Sequence, residues 1–228
     1  MFHVFTREGL ISLLYTLPIL LISISIHEFS HSFVAYKLGD KSQKYLGNLT
    51  LDPFKHIDLL GLLCIVLCGF GWGKPAIINE ENFKNKTKGI MLTALAGPVS
   101  NLILAILLVI ILKVLLVTGL AVPVVTSSVG GILFNMLILG IEFNVVFAVF
   151  NLIPLPPFDG SKVLYYFLPY KAKQAYASLE NYSYIIILVL FVTNIGSYII
   201  TPFVNVIFKL ISFILWYKYF AKILWMNI

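Results

Sequence analysis

The chain is laid out as long apolar blocks separated by short polar stretches. A membrane-spanning helix needs roughly 20 mainly apolar residues, so blocks of this length predict spanning helices. The candidate spans are 10–36, 89–117, 129–153, 183–201 and 203–217, the last pair closely joined through Thr201-Pro202. A sixth apolar stretch, 59–72, is short for a crossing. The pattern predicts an all-α polytopic membrane protein with about five transmembrane helices plus a short re-entrant element near 59–78. That element is either a β-hairpin or a short buried helix ending at the glycines. A single integral-membrane domain over 1–228 is expected, with its core in 10–165 and C-terminal helices in 183–217.

Composition agrees. Hydrophobic residues make up 60% of the 228 and the mean hydropathy is +0.96, whereas soluble domains are about 45–50% apolar. The net charge of +6 is distributed in a way that excludes nucleic acid as the natural partner and points to the lipid bilayer. Lysines gather in 37–55, 74–88, 162–173 and near the C-terminus, while 114–141 carries no charge. Basic loops stay in the cytoplasm, which places 118–130 outside, the N-terminus outside and the C-terminus inside. The basic flanks of 59–72 share one side only if that stretch dips in and returns. The expected location is a cell membrane crossed several times, the cytoplasmic membrane of a prokaryote. Cys64 and Cys68 are four apart with no other cysteine to join them, and read as packing residues. The first apolar run ends in Ile26-His27-Glu28 without a small-residue cleavage site, unlike a signal peptide.

That ending carries the chemistry. His27-Glu28-Phe29-Ser30-His31 fits H-E-x-x-H. Four residues make a little over one helical turn, so the two imidazoles share a face and can share one zinc ion, with Glu28 as general base. An unpartnered glutamate at mid-membrane would cost about 2.5–3.5 kcal/mol even on a lenient scale, which argues for a use. His27 precedes Lys37, the expected cytoplasmic helix end, by ten residues, so it lies about 15 Å inward at 1.5 Å per residue. Ser23, Ser25, Ser30 and Ser32 nearby either admit water or mark close helix packing.

Two histidines leave a catalytic zinc one protein ligand short. Most acids lie in polar or terminal stretches, which leaves Glu142 and Asp159. Asp159 belongs to "NLIPLPPFDGSK", 151–162, where the prolines cannot continue the preceding helix. Asp-Gly alone is usually a turn. Beside a proline-broken helix at the membrane edge, it becomes the favoured ligand. Glu142 suits a snorkelling or packing role. Asn144 and Asn151 share a helix face seven residues apart, and Asn151 either donates to a developing oxyanion or caps the helix end.

These motifs resemble the site-2 protease family of zinc intramembrane metalloproteases. The resemblance rests on His27-Glu28-x-x-His31, on Asn151-Leu152-Ile153-Pro154 followed by Pro157-Phe158-Asp159-Gly160, and on Gly97-Pro98-Val99-Ser100-Asn101. "LTLDPFKHID", 49–58, and "GFGWGKP", 69–75, look like the compact prokaryotic members. The resemblance implies one Zn2+ held by His27, His31 and Asp159, Glu28 activating water, and Asn151 near the scissile carbonyl. His56 would be a structural loop residue. The implied substrate is a transmembrane protein, cut within the bilayer near its cytoplasmic side. No connection is long enough for the PDZ or CBS domains that many members add. Two other readings stand beside this one: a membrane metal-ion transporter, and a membrane adaptor that binds helices without cutting them.

Overall fold

The structure, a computed structural model, describes residues 6–68, 73–193 and 195–214. Its first helix, α1 (Arg7–Leu38), opens where the Thr6 hydroxyl accepts the Gly9 N–H and closes at Gly39, whose φ of 126° is a conformation that favours glycine. Two short turns follow, α2 (Ser42–Tyr45) and α3 (Pro53–His56), and then the apolar α4 (Leu59–Cys68). Asn85 caps α5 (Lys86–Val117) by accepting the Lys88 N–H. After α6 (Ala121–Thr126), Ser127 caps α7 (Ser128–Asn151) in the same manner. Pro154, Pro156 and Pro157 fill the gap before α8 (Asp159–Phe167), α9 (Tyr170–Ala177), α10 (Ser183–Val192) and α11 (Ile195–Ile214).

Three of these helices, α1, α5 and α7, are long and apolar enough to cross a membrane. They coincide with three predicted spans to within three residues at each end. The C-terminal pair differs from expectation. The break falls after Val192, not at Pro202: the Thr193 hydroxyl donates to the Val189 carbonyl of α10 and accepts the Ile195 N–H that opens α11. Helix α11 then runs through Pro202, and residues 215–217 of the expected last span lie outside the described residues. In 59–78, residues 59–68 are helical, and the described residues contain no strand. Among the described residues an antiparallel bridge joins Ile57 and Gly73, beside a Lys74 N–H to His56 carbonyl bond of 2.8 Å. Gly69 and Gly71 of the expected hairpin lie outside the described residues. Cys64 is a half-buried free thiol, and the side chain of Cys68 is not among those described.

Helices α1, α5 and α7 pack together, and α11 adds a fourth wall on the side away from α1. The buried core between α5, α7 and α11 is aliphatic, built from residues such as Val109, Leu112, Ile141, Val145, Val204 and Ile211, with Phe134 and Phe208 packed against it. Dispersion between such closely packed side chains, not escape from water, joins helices whose surroundings are equally apolar. Gly140 brings α7 close to α5, since a Cβ there would sit 3.0 Å from Leu108 Cδ1.

Just past α1, Asp40 is wholly buried. Burial alone would raise its pKa, but hydrogen bonds from Ser42, Gln43, Asn79 and Asn82 outweigh it and lower the pKa to about 2. A depressed folded-state pKa means the stabilisation is complete above the unfolded value of ~3.9 and is lost as pH falls towards 2. Melting in detergent should therefore show an acid limb between about pH 4 and pH 2, and Asp40→Asn should remove its share of that limb.

Candidate active site

Helices α1, α5, α7 and α8 meet around the H-E-x-x-H turn. His27 and His31 are both buried, with ring centroids 4.6 Å apart. Each ring is fixed by its Nδ1: His27 against Asn101 Oδ1 at 2.7 Å, His31 against the Thr93 carbonyl at 2.7 Å, both from α5. Asn101 directs its Nδ2 at two oxygens, Asn144 Oδ1 at 2.8 Å and the Ser23 carbonyl at 3.2 Å. Its own oxygen must then be the atom facing His27. Asn144 in turn donates to Ser23 Oγ and to the Gly140 carbonyl. Both imidazoles thus carry a proton on Nδ1, and a neutral ring so held presents its Nε2 lone pair on the opposite side.

Those lone pairs point at an anion. His27 Nε2 and His31 Nε2 lie 3.1 and 3.2 Å from Asp159 Oδ2, which is buried and receives no hydrogen bond. The three donor atoms lie within 4.8 Å of one another. Three electron-rich atoms without a proton between them repel unless a cation joins them. Ligands ~2.0–2.1 Å from a tetrahedral zinc are about 3.3 Å apart, close to the two spacings to Asp159. Gly97 supplies the remaining evidence of fit. A Cβ on it would lie 2.5 Å from His31 Nε2 and 2.6 Å from His27 Nε2, so only glycine leaves the space beside both donors open.

Chain reversal brings Asp159 there. Helix α7 ends at Asn151, and α8 begins at Asp159 folded back under that end. Gly160 permits this: a Cβ would meet the Leu152 carbonyl oxygen at 2.2 Å and the Ile153 carbonyl oxygen at 2.6 Å. A cavity of about 180 Å³ opens on the cluster, and Glu28, Asn151 and Lys162 share its lining with the three donors. Glu28 Oε2 accepts the Ala76 N–H at 3.2 Å.

The profile of Peptidase family M50 matches residues 15–193. The chain belongs to Peptidase family M50. This is the site-2 protease family that its motifs resemble, and the protein is a zinc metalloprotease. YwhC of Bacillus subtilis (strain 168) is 39% identical over 191 residues, 84% of this chain and 86% of that protein. Rip2 of Mycolicibacterium smegmatis (strain ATCC 700084 / mc(2)155) is 34% identical over 179 residues, 76% of this chain and 64% of its own length. Both bear the name "Putative zinc metalloprotease". No solved structure matches the chain.

In this M50 peptidase, the predicted His27, His31 and Asp159 come together, with Glu28 and Asn151 at the same cavity. Asn151 spends its Nδ2 on the Phe147 carbonyl of its own helix, at 3.0 Å. Glu142 lies on α7 outside the cluster. His56 is buried away from it, bonded through Nε2 to the Thr50 carbonyl at 2.8 Å. Ser25 and Ser30 return their hydroxyls to their own helix, on the carbonyls of Leu21 and Ile26. Ser23 holds Asn144 instead. The roles of Asn101, Asn144 and Gly97 were not readable from composition, although Gly97 and Asn101 stand in the G-P-x-x-N stretch. Partners that orient a metal-binding imidazole typically change affinity by about 10–100-fold, so Asn101→Ala should weaken zinc by roughly that factor. Gly97→Ala should weaken it at least as much. Competition with a chelator measures both.

Proposed function

We propose that this protein hydrolyses peptide bonds of membrane-spanning substrate helices near the cytoplasmic side, with His27, His31 and Asp159 holding one zinc and Glu28 as general base. The observation that carries the reading is the convergence of two imidazole Nε2 atoms on one carboxylate oxygen that accepts no hydrogen bond, with Glu28 next to His27 along α1. Lysines at the α1 end, in 74–88 and in 162–173 support a cytoplasmic position for this end of the bundle.

Bound zinc would supply Lewis-acid polarisation of the peptide carbonyl and a lowered pKa for the attacking water. The rest falls to the protein. Glu28 keeps Oε2 on the Ala76 N–H and uses Oε1 to take a proton from water as its oxygen bonds the carbonyl carbon. The same carboxyl then gives that proton to the amide nitrogen as the C–N bond breaks, leaving a new amine and a new carboxylic acid that together hold both protons of the water. Asn151, on the cavity wall, is placed to donate to the carbonyl oxygen once its amide turns from Phe147. A substrate helix must unwind first, because its carbonyls are engaged in its own hydrogen bonds. The non-helical residues 74–79, of which Pro75, Ala76 and Ile78 line the cavity, support pairing with an unwound strand. The apolar α4 dipping into the bilayer, and the apolar α10 and α11 held within it as a pair, complete this reading of a multi-pass protein; α10, with 10 residues, is too short to cross alone.

In reconstituted membranes, Glu28→Gln should keep its zinc and lose cleavage of a membrane-helix substrate by ~10²-fold or more. Cleavage at the normal rate would refute the base. Asp159→Ala should lower bound zinc, and full occupancy would remove it from the ligand set. Zinc flux across vesicles without any cleavage would favour the transporter instead.

A further inference from the structure

Helix α1 and the turn that follows it grip the segment after α4 at two places. One is Glu28, which takes the Ala76 N–H. The other is Asp40, beyond the Gly39 turn. Oδ1 of Asp40 accepts the Ser42 N–H at 3.2 Å, the Ser42 hydroxyl at 2.6 Å and the Asn82 amide at 2.8 Å. Oδ2 accepts the Gln43 amide at 2.8 Å and the Asn79 N–H at 2.9 Å. The same Gln43 nitrogen also donates to the Ile77 carbonyl at 2.7 Å, and its oxygen accepts from Asn48. Gly39 seats the segment directly, since a Cβ there would lie 2.6 Å from the Asn82 carbonyl oxygen.

The bland account is that Asp40 merely starts the α2 turn. Ser42 alone would satisfy that, and an exposed side chain would do it without desolvating an ion. Asn79 and Asn82 are 39 and 42 residues away and have no part in such a cap. The carboxylate is therefore a latch between the end of α1 and residues 77–82. What the latch holds is catalytic wall: Pro75, Ala76, Ile78 and Glu80 line the same cavity as Glu28. Only two residues, Ile77 and Ile78, stand between Ala76, on Glu28, and Asn79, on Asp40. Few torsions lie between them to absorb a slip at the latch before it reaches the base.

We propose that Asp40 is a positioning residue for Glu28: by latching residues 77–82 to the end of α1, it holds the Ala76 N–H against the Glu28 carboxylate. This rests on Glu28 being the general base. Loss of the latch leaves His27, His31 and Asp159 on their helices, so metal binding is separable from it. The orientation of the base is not.

The test uses the full chain in detergent or liposomes, loaded with zinc. Asp40→Asn keeps the shape but sets an NH2 group against donors, and Asn82→Ala removes one bond of the latch from an exposed position. Zinc content, kcat and KM on a membrane-helix substrate, and hydrogen exchange at Ala76 and Asn79 are read together. Asp40→Asn should hold normal zinc, lose roughly tenfold or more in kcat with KM changed less than about threefold, and exchange faster at both amides. Asn82→Ala should follow in the same direction with smaller changes, and serves alone if Asp40→Asn does not fold. Faster exchange with an unchanged kcat overturns the proposal, as does loss of zinc in step with kcat. If zinc-loaded wild-type protein cuts nothing, the hydrolytic reading fails. Exchange then judges the latch alone, and unchanged exchange in Asp40→Asn defeats it.

Discussion

One buried meeting of three ligand-type atoms organises this molecule. Each imidazole Nε2 is held about 3 Å from the same Asp159 oxygen in a buried place, where the low local dielectric magnifies any charge among them. With neutral rings the three atoms repel. The arrangement persists because each atom is held from behind by a helix: α1 carries the histidines, α5 supplies the acceptors for their Nδ1 protons, and α8 brings the carboxylate. A cation turns the same arrangement from a cost into a binding site. The fold and the zinc chemistry therefore presuppose one another.

Polar groups in lipid must find partners within the protein. The chain of Asn101, Asn144 and Ser23 answers that need while fixing the tautomer of His27. Each amide is fully placed: donors face acceptors, and the remaining oxygen faces the ring. Polar residues that look scattered over three apolar helices are thus one connected network. Gly97 belongs to the same logic by subtraction, because the site requires an empty volume where every other residue has a side chain.

The sequence made the core of this legible for a simple reason. H-E-x-x-H is local: one helical turn decides the geometry, so residue spacing is enough. Asp159 was reachable because few acids lie near membrane segments and prolines mark where the chain must turn. The three long spans were legible by length. The C-terminal pair was misjudged because Pro202 is a loud signal and Thr193 a quiet one, yet the threonine opens the next helix and the proline lies inside it. Asn101, Asn144 and Asp40 act through partners tens of residues distant, and no local pattern encodes which partner an amide or carboxylate will meet. His56 read as structural on spacing grounds, and its bond to Thr50 gives it that work.

A division of labour follows from where the groups are mounted. The three candidate ligands sit on helices, where backbone hydrogen bonds and packing fix them against one another. The proposed base, Glu28, sits on a helix too, but one of its oxygens accepts from a non-helical segment. In the proposed reaction ligand geometry must survive the entry of a substrate, whereas the base must share its surroundings with the incoming strand. A non-helical segment suits that second task, since it can border a peptide without its own helix blocking the approach. Such a segment has little intrinsic stiffness, and its precision must come from outside. The buried carboxylate at the end of α1 supplies it, referring the wall of the cavity to the same helix that carries Glu28.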